Sequence, residues 1–397
     1  MRSSRFSFAR LARPVALPLA LVLAGALAPL VPASAAVPIP KPPTVDVRAY
    51  IVVDYATGRV LAAMNPDARM EPASITKVMT AYSVFKAIAE KRLSLQDPVM
   101  ISEYAWRAGG AGSGGSSTFV QVNTTVPVEI LLKGMIIQSG NDASIALAEK
   151  VGGTEDGFAQ MMNTYAKQLG MASTNFTNST GLPDPNLYTT ARDIVTLARA
   201  VIREHPDYYK WYSEKEFVWN GIKQQNRNGL LTRDPTVDGI KTGHTETAGY
   251  CLLTSALRGG TRLVSVVFGA DSFKGREDAS AALLNYGFTF FETVKVKGKG
   301  EAVATARVYK GAEENVAVGP ARDVVVTTGR GTADALKTTW TLKEPLVAPL
   351  AANQAVGEMV VSDGNEVIAK LPLYPVKAVA EGGLFTRLSD SVSLWMR

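Results

Sequence analysis

Apolar positions along the chain recur with two different periods, and the switch between them divides it. From Ile75 onward, Val78, Ala81, Tyr82, Phe85 and Ile88 fall three or four apart, the spacing of one buried helix face. Ile130, Leu131, Met135 and Ile136 give a second helix over 127–138, ending at Ser139-Gly140-Asn141. Further helices are expected over 142–151, 154–169 and 190–204, and a last one from about 276 to 294. Strand-like runs cover 47–54 and 59–64 around Ala56-Thr57-Gly58, then 237–244, and then 250–257 and 262–270 around Arg258-Gly259-Gly260-Thr261. The two hairpin signals make the sheet antiparallel. From 295 to about 379 only short alternating runs remain (302–309, 323–328, 355–361, 366–371), separated by turns such as Asp363-Gly364, the pattern of a small all-β domain.

The fold class is therefore α+β: a domain over 46–294 with a central antiparallel sheet flanked by helices, followed by a β-rich domain over 295–380. The final segment, 381–397, places Leu384, Phe385, Leu388, Val392 and Trp395 on one helical face, with Arg387, Asp390 and Ser391 elsewhere. Such a helix is too short to span a bilayer and suited to lying in its surface. Packing against the β domain is the alternative.

At the other end, Arg2, Arg5, Arg10 and Arg13 precede an apolar run over 15–31, and Ala33-Ser34-Ala35 follows as a small-residue cleavage site. Residues 1–35 read as a secretory signal peptide. A retained anchor is disfavoured by Pro18, Pro29 and Pro32 inside the run. A Pro-rich linker, 36–45, comes next. Removing 1–35 takes four of 42 basic residues and none of 36 acidic ones, so the mature chain is close to neutral. The basic pI of the whole chain is then no argument for nucleic acid, and no nucleic-acid motif is present. Cys251 stands alone and forms no intramolecular disulfide, which suits an oxidising compartment and reads as a core position.

Candidate chemistry begins with Ser74 and Lys77, three apart at the start of the first helix. A serine hydroxyl needs a base to become a nucleophile, and a lysine can serve if burial lowers its pKa toward ~7–8. Ser-x-x-Lys alone is expected about once by chance in a chain of this length. Two motifs further along the chain give it weight: Ser139-Gly140-Asn141 and Lys241-Thr242-Gly243. A glycine-rich stretch over 108–117 lacks the lysine of a phosphate loop and reads as a flap near a site. There is no HExxH, no GxSxG elbow, and only His205 and His244 are present, which disfavours a zinc peptidase; no cofactor is implied.

Ser-x-x-Lys, Ser-x-Asn and Lys-Thr-Gly in this order form the signature set of penicillin-binding proteins and class A β-lactamases. Pro72-Ala73-Ser74-Ile75-Thr76-Lys77 and Asp238-Gly239-Ile240-Lys241-Thr242-Gly243-His244-Thr245 closely resemble the low-molecular-mass D-alanyl-D-alanine carboxypeptidases. That resemblance implies a penicillin-binding-protein/β-lactamase-like transpeptidase domain and a serine DD-peptidase acting on peptidoglycan pentapeptide. It implies β-lactams as covalent inhibitors and a periplasmic enzyme held on the outer face of the inner membrane. It further implies that Ser74 is acylated, that Lys77 takes its proton and that Ser139 relays one to the leaving amine. Asn141 would bond the substrate backbone, and Lys241 would supply positive charge. Thr242 would bond the terminal carboxylate, and small Gly243 would let substrate lie against the strand. The backbone N–H groups of Ser74 and His244 would form the oxyanion hole. Arg276 matches an arginine associated with the terminal carboxylate, the other reading being a surface salt bridge at the start of the last helix.

The glycine-rich 108–117 loop looks looser than the usual family segment, which leaves substrate preference open. Three rivals also stay open: a peptidoglycan endopeptidase, a weak β-lactamase and a non-catalytic wall scaffold. A class A β-lactamase needs a glutamate to activate the deacylating water. The only Glu-x-x-x-Asn here, Glu216 to Asn220, lies far beyond Asn141 in sequence. Oligomeric state has no signal.

Overall fold

The computed structural model describes residues 38–396, so the expected signal peptide lies outside the described residues. Five strands build the first sheet: β1 (Ala49–Asp54), β2 (Val60–Met64), β3 (Val237–Thr245), β4 (Gly249–Arg258) and β5 (Thr261–Ala270). Their order is β2-β1-β5-β4-β3, antiparallel throughout.

Side chains alternate across a strand, and both faces here are covered, which explains the near-continuous apolar runs. Ile51, Val53, Leu253 and Val266 join one core, with helices Lys77–Ala89, Asn141–Gly152, Glu155–Leu169 and Ala191–Glu204. Tyr50, Val52, Leu252 and Val267 join the other, against Leu283 and Leu284 of helix Phe273–Phe290. The result is a sheet between two helical layers, with β3 at one edge.

The last helix of this part departs from the expected span at both ends. Ser272 caps it by accepting a bond from Gly275 N–H at 2.9 Å, so it starts at Phe273. It stops at Phe290, because Phe291–Lys297 is a strand paired with Val324–Gly329. The β-rich part adds a six-stranded sheet around Val308, Val318, Met359, Val361 and Leu373. Strands Asn315–Pro320, Leu336–Leu342 and Leu346–Val347 of that sheet lie outside the runs expected from the sequence.

A partly buried polar seam joins the two parts. Asp54, at the end of β1, is fully buried and accepts bonds from Thr57 N–H (2.7 Å), Thr57 Oγ1 (2.9 Å) and the Thr293 hydroxyl. Thr57 also meets Thr327 Oγ1 at 2.5 Å, while Arg59 donates to the Thr327 carbonyl at 2.6 Å. Arg330 reaches back to the Phe288 and Phe291 carbonyls, satisfying the end of the long helix.

The C-terminal helix spans Leu384–Trp395 and packs on the β-rich part, the alternative reading of this segment. Its polar face docks on the β-rich part through buried Asp390, which accepts from Lys310 N–H at 2.5 Å and from Arg307. Its apolar face is left uncovered, with Phe385 and Trp395 each 88% exposed. Among the described residues no helix is long and apolar enough to cross a membrane.

Candidate active site

Ser74 sits in a 3₁₀ turn, Ala73–Thr76, that leads into helix Lys77–Ala89. The expected α-helical first turn is thus wound tighter. In a 3₁₀ turn, side chains at i and i+3 eclipse, which brings the amine directly over the hydroxyl. Lys77 Nζ lies 3.0 Å from Ser74 Oγ and donates to the Thr180 carbonyl at 2.6 Å.

The segment carrying that carbonyl is shaped by Asn178, whose Oδ1 accepts from Gly181 N–H at 2.7 Å and Thr180 Oγ1 at 3.0 Å. Gly181 has φ +79°, and a Cβ there would stand 1.8 Å from the Ala73 carbonyl oxygen. Only glycine admits both that conformation and that approach.

Lys77 is 1% exposed. Burial depresses its pKa to about 7, Arg227 pushes it the same way, and the carboxylates of Asp142 and Glu155 pull upward. At neutral pH a substantial fraction of this amine is therefore uncharged, and only the uncharged amine can take a proton.

Ser139 closes a π-helical turn, Gly134–Gln138, and adopts φ +71°, a conformation that non-glycine residues rarely take. Its Oγ is buried and has no hydrogen-bond partner among the described residues. Asn141 begins the next helix, its N–H donating to the Ser116 carbonyl at 2.7 Å. Beside it, Asp142 is fully buried and accepts from Ser117 Oγ and Thr118 N–H, both at 2.7 Å. The glycine-rich stretch is thereby pinned at its far end, and Gly114, Gly115 and Ser116 rim the cleft.

The third wall is edge strand β3. Lys241 and Thr242 are buried, and the Lys241 pKa is driven well below normal by burial, then by Lys77, Arg227 and Arg276. A Cβ on Gly243 would meet the Pro72 carbonyl at 3.0 Å and Ala73 Cβ at 3.2 Å. This glycine lets β3 pack on the Ser74 turn, a role that spacing alone does not suggest. His244 is exposed and stacks on Tyr250 at 4.1 Å.

Arg276 is not in a surface salt bridge. It is 1% exposed, donates to the Gly243 carbonyl at 3.1 Å, and leaves Nε unpartnered among the described residues. Its neighbour Glu277 takes the salt bridge instead, with Arg233. Burial lowers the Arg276 pKa to about 10, so the guanidinium stays charged at neutral pH.

One cleft of about 230 Å³ is lined by Ser74, Ser139, Asn141, Thr242, Gly243, His244 and Arg276, with Lys77 and Lys241 buried behind its wall. The structure thus brings together every candidate residue named from the sequence. Three contributors have no spacing signal: Arg227, which lines the cleft as a further cation; the Thr180 carbonyl; and Asp142, which the sequence marks only as part of a helix. Glu216 lies elsewhere, exposed on a hairpin strand and paired with Lys223.

An antiparallel sheet between helical layers, with a serine, a buried lysine and a Lys-Thr-Gly edge strand around one cleft, defines the class that includes the penicillin-binding proteins. Residues 36–272 match the family described as D-alanyl-D-alanine carboxypeptidase, and residues 291–381 match the C-terminal domain of penicillin-binding protein 5. D-alanyl-D-alanine carboxypeptidase DacD of Salmonella typhimurium is 41% identical over 92% of this chain and 94% of its own length. DacA of Escherichia coli is 41% identical over 90% of this chain and 89% of its own. The crystal structure of penicillin binding protein 5 from Haemophilus influenzae covers 86% of this chain and 100% of its own, at TM-score 0.82 and 42% identity. The chain belongs to the D-alanyl-D-alanine carboxypeptidase family.

The approach of Gly181 to the Ser74 turn can be tested by thermal unfolding. Gly181→Ala is expected to destabilise by at least about 1 kcal/mol, since both φ and the Ala73 carbonyl oppose a side chain. Gly112→Ala, with nothing within 4 Å and an ordinary φ, should stay within about 0.5 kcal/mol of the parent. Equal melting temperatures for the two variants would contradict the packing described.

Proposed function

We propose that this chain is a serine-type D-Ala-D-Ala carboxypeptidase that removes the terminal D-alanine of peptidoglycan pentapeptide through an acyl-enzyme on Ser74. The observation that carries the reading is the buried Lys77 amine, 3.0 Å from Ser74 Oγ with its pKa lowered to about 7. As Oγ attacks the D-Ala-D-Ala carbonyl carbon, the hydroxyl proton passes to Nζ and the carbonyl π pair moves to oxygen. The backbone N–H groups of Ser74 and His244 stabilise that oxyanion, each donor of this kind contributing roughly 2.7–4 kcal/mol. When the C–N bond breaks, the departing amine takes a proton delivered through Ser139. Water then attacks the acyl-enzyme and restores Ser74.

The leaving D-alanine carries a carboxylate, and the cleft is cationic where that group would lie. Thr242 donates a hydrogen bond to it and Arg276 adds positive charge, while a carboxylate placed there favours the charged form of Lys241 against the burial that lowers its pKa; charge-assisted bonds are roughly twice as strong as neutral ones. Asn141 bonds the substrate backbone from the opposite wall. A β-lactam offers the same nucleophile a carbonyl whose leaving group stays tethered, so the acyl group is slow to leave.

The sequence of 1–35 supports export, and the uncovered apolar face of helix Leu384–Trp395 supports peripheral attachment to the outer face of the cytoplasmic membrane. The catalytic cleft would then project into the periplasm, toward the wall.

Intact-mass spectrometry after incubation with benzylpenicillin should show one adduct, absent from Ser74→Ala. Because protonated Lys77 cannot accept a proton, the acylation rate should rise with pH through about 7 and level off above it. An adduct on Ser74→Ala, or a rate that falls over that range, would sink the assignment. Removing 383–397 should release an active enzyme from anionic phospholipid vesicles that retain the parent. Equal vesicle binding by both would show the helix to be structural only.

A further inference from the structure

Every polar backbone and side-chain atom of Ser179 is tied down. Its carbonyl accepts from Thr80 Oγ1 and Ser144 Oγ, both at 2.7 Å. Its N–H and Oγ donate to a single carboxylate oxygen, Glu155 Oε1, at 3.0 and 2.6 Å. The other carboxylate oxygen, Glu155 Oε2, accepts from Tyr104 Oη at 2.7 Å. Tyr104 belongs to helix Glu103–Gly109, which runs into the glycine-rich rim of the cleft, and Ser179 immediately precedes the Thr180 carbonyl that receives Lys77 Nζ. One half-buried carboxylate thus fastens both walls to one point.

Building on the reading of Lys77 as the base, we infer that Glu155 is a positioning residue for acylation: by clamping Ser179 it holds the Thr180 carbonyl on one Lys77 N–H, which turns the amine lone pair toward Ser74. A neutral amine has one lone pair and free rotation about its last C–N bond. Anchoring an N–H removes that freedom, as the third member of a nucleophile–base–orienter set does. In the acylation step the Ser74 proton moves onto that lone pair while Oγ bonds the carbonyl carbon, so the ammonium keeps its Thr180 bond throughout.

The plain alternative is that Glu155 is an acid in the first turn of helix Glu155–Leu169, favoured there by the helix dipole. Asp156 separates the two readings. It occupies the same first turn, is exposed, and carries no hydrogen bond to Ser179 or Tyr104. The charged groups facing Lys77 are Arg227, Asp142, Glu155 and, from β3, Lys241. Glu155 raises the Lys77 pKa, so losing its charge lowers that pKa and extends the fraction of free base to lower pH.

The test is the pH profile of benzylpenicillin acylation at saturation, measured for the full chain and for E155Q, E155A and D156N. Glutamine can still accept from Ser179 through its oxygen and donate to Tyr104 through its nitrogen. E155Q should therefore keep its plateau within about 2-fold and move its acid limb to lower pH. E155A should lose on the order of 10-fold or more in maximal rate, with the half-saturating concentration unchanged, as expected when a reacting group loses alignment. D156N should behave as the parent.

A wild-type rate in E155A, a wild-type limb in E155Q, or a limb in D156N that moves with that of E155Q would overturn the proposal. Should E155A fail to fold by circular dichroism, E155D decides: it keeps the charge but is one methylene short of holding both Ser179 and Tyr104, so its plateau should fall, and a wild-type plateau would overturn the proposal. Because the readout is penicillin, a parent that acylates normally but releases no D-alanine from peptide would overturn the substrate reading and leave this one standing. Normal acylation of Lys77→Ala would remove the base itself.

Discussion

A buried amine beside a serine hydroxyl is the constraint on which this structure turns. An ammonium moved into a protein interior without compensation is strongly disfavoured, and its pKa falls in response. Lys77 is treated in that way, with one cation, Arg227, deepening the effect and two carboxylates, Asp142 and Glu155, restraining it. The local architecture serves the same end. A 3₁₀ turn eclipses Ser74 and Lys77, Gly181 lets the 177–182 segment press on that turn, and Gly243 lets β3 close from the other side. Tight packing around the pair excludes water from behind it, while the cleft in front stays open to substrate.

Helix Phe273–Phe290 connects this site with the rest of the molecule. Arg276, in its first turns, supports Gly243 of β3, and Arg330 from the β-rich part holds its last carbonyls. Together with the partly buried seam of Asp54, Thr57, Thr293 and Thr327, that makes a polar joint between the two parts. Directional hydrogen bonds fix orientation more sharply than an apolar contact of the same size. A cleft carried on such a joint keeps a defined direction relative to helix Leu384–Trp395, which is itself pinned through Asp390.

Much of this is legible in the sequence because the informative signals are local. Apolar periodicity locates the main helices and the β4–β5 hairpin, since burial on a defined face repeats at the period of the element. Ser74, Lys77, Ser139, Asn141 and the Lys241–Gly243 run stand out because their residue types and order are unusual together. Other features are hidden for physical reasons. The stretch 291–294 extends an apolar helix pattern, and only pairing with Val324–Gly329 makes it strand. The left-handed conformation of Ser139 follows directly on a π-turn, which has no compositional mark. Thr180 acts through a carbonyl that every residue possesses, and Glu155 and Arg227 reach the site across the fold, with no fixed spacing to any motif.

Charge recognition of a free C-terminus is what would make this cleft a carboxypeptidase and not an endopeptidase, since an internal peptide bond has no carboxylate to offer Arg276, Lys241 and Thr242. The direct measurement is kcat/KM for one peptide ending in D-Ala-D-Ala, presented as the free acid and as the C-terminal amide, with wild type and Arg276→Ala. Losing a hydrogen bond to a charged group is worth about 1.5–3 kcal/mol, so wild type should favour the acid by roughly 10- to 150-fold, and Arg276→Ala should lose most of that preference. Equal hydrolysis of acid and amide by the wild-type enzyme would contradict carboxypeptidase action.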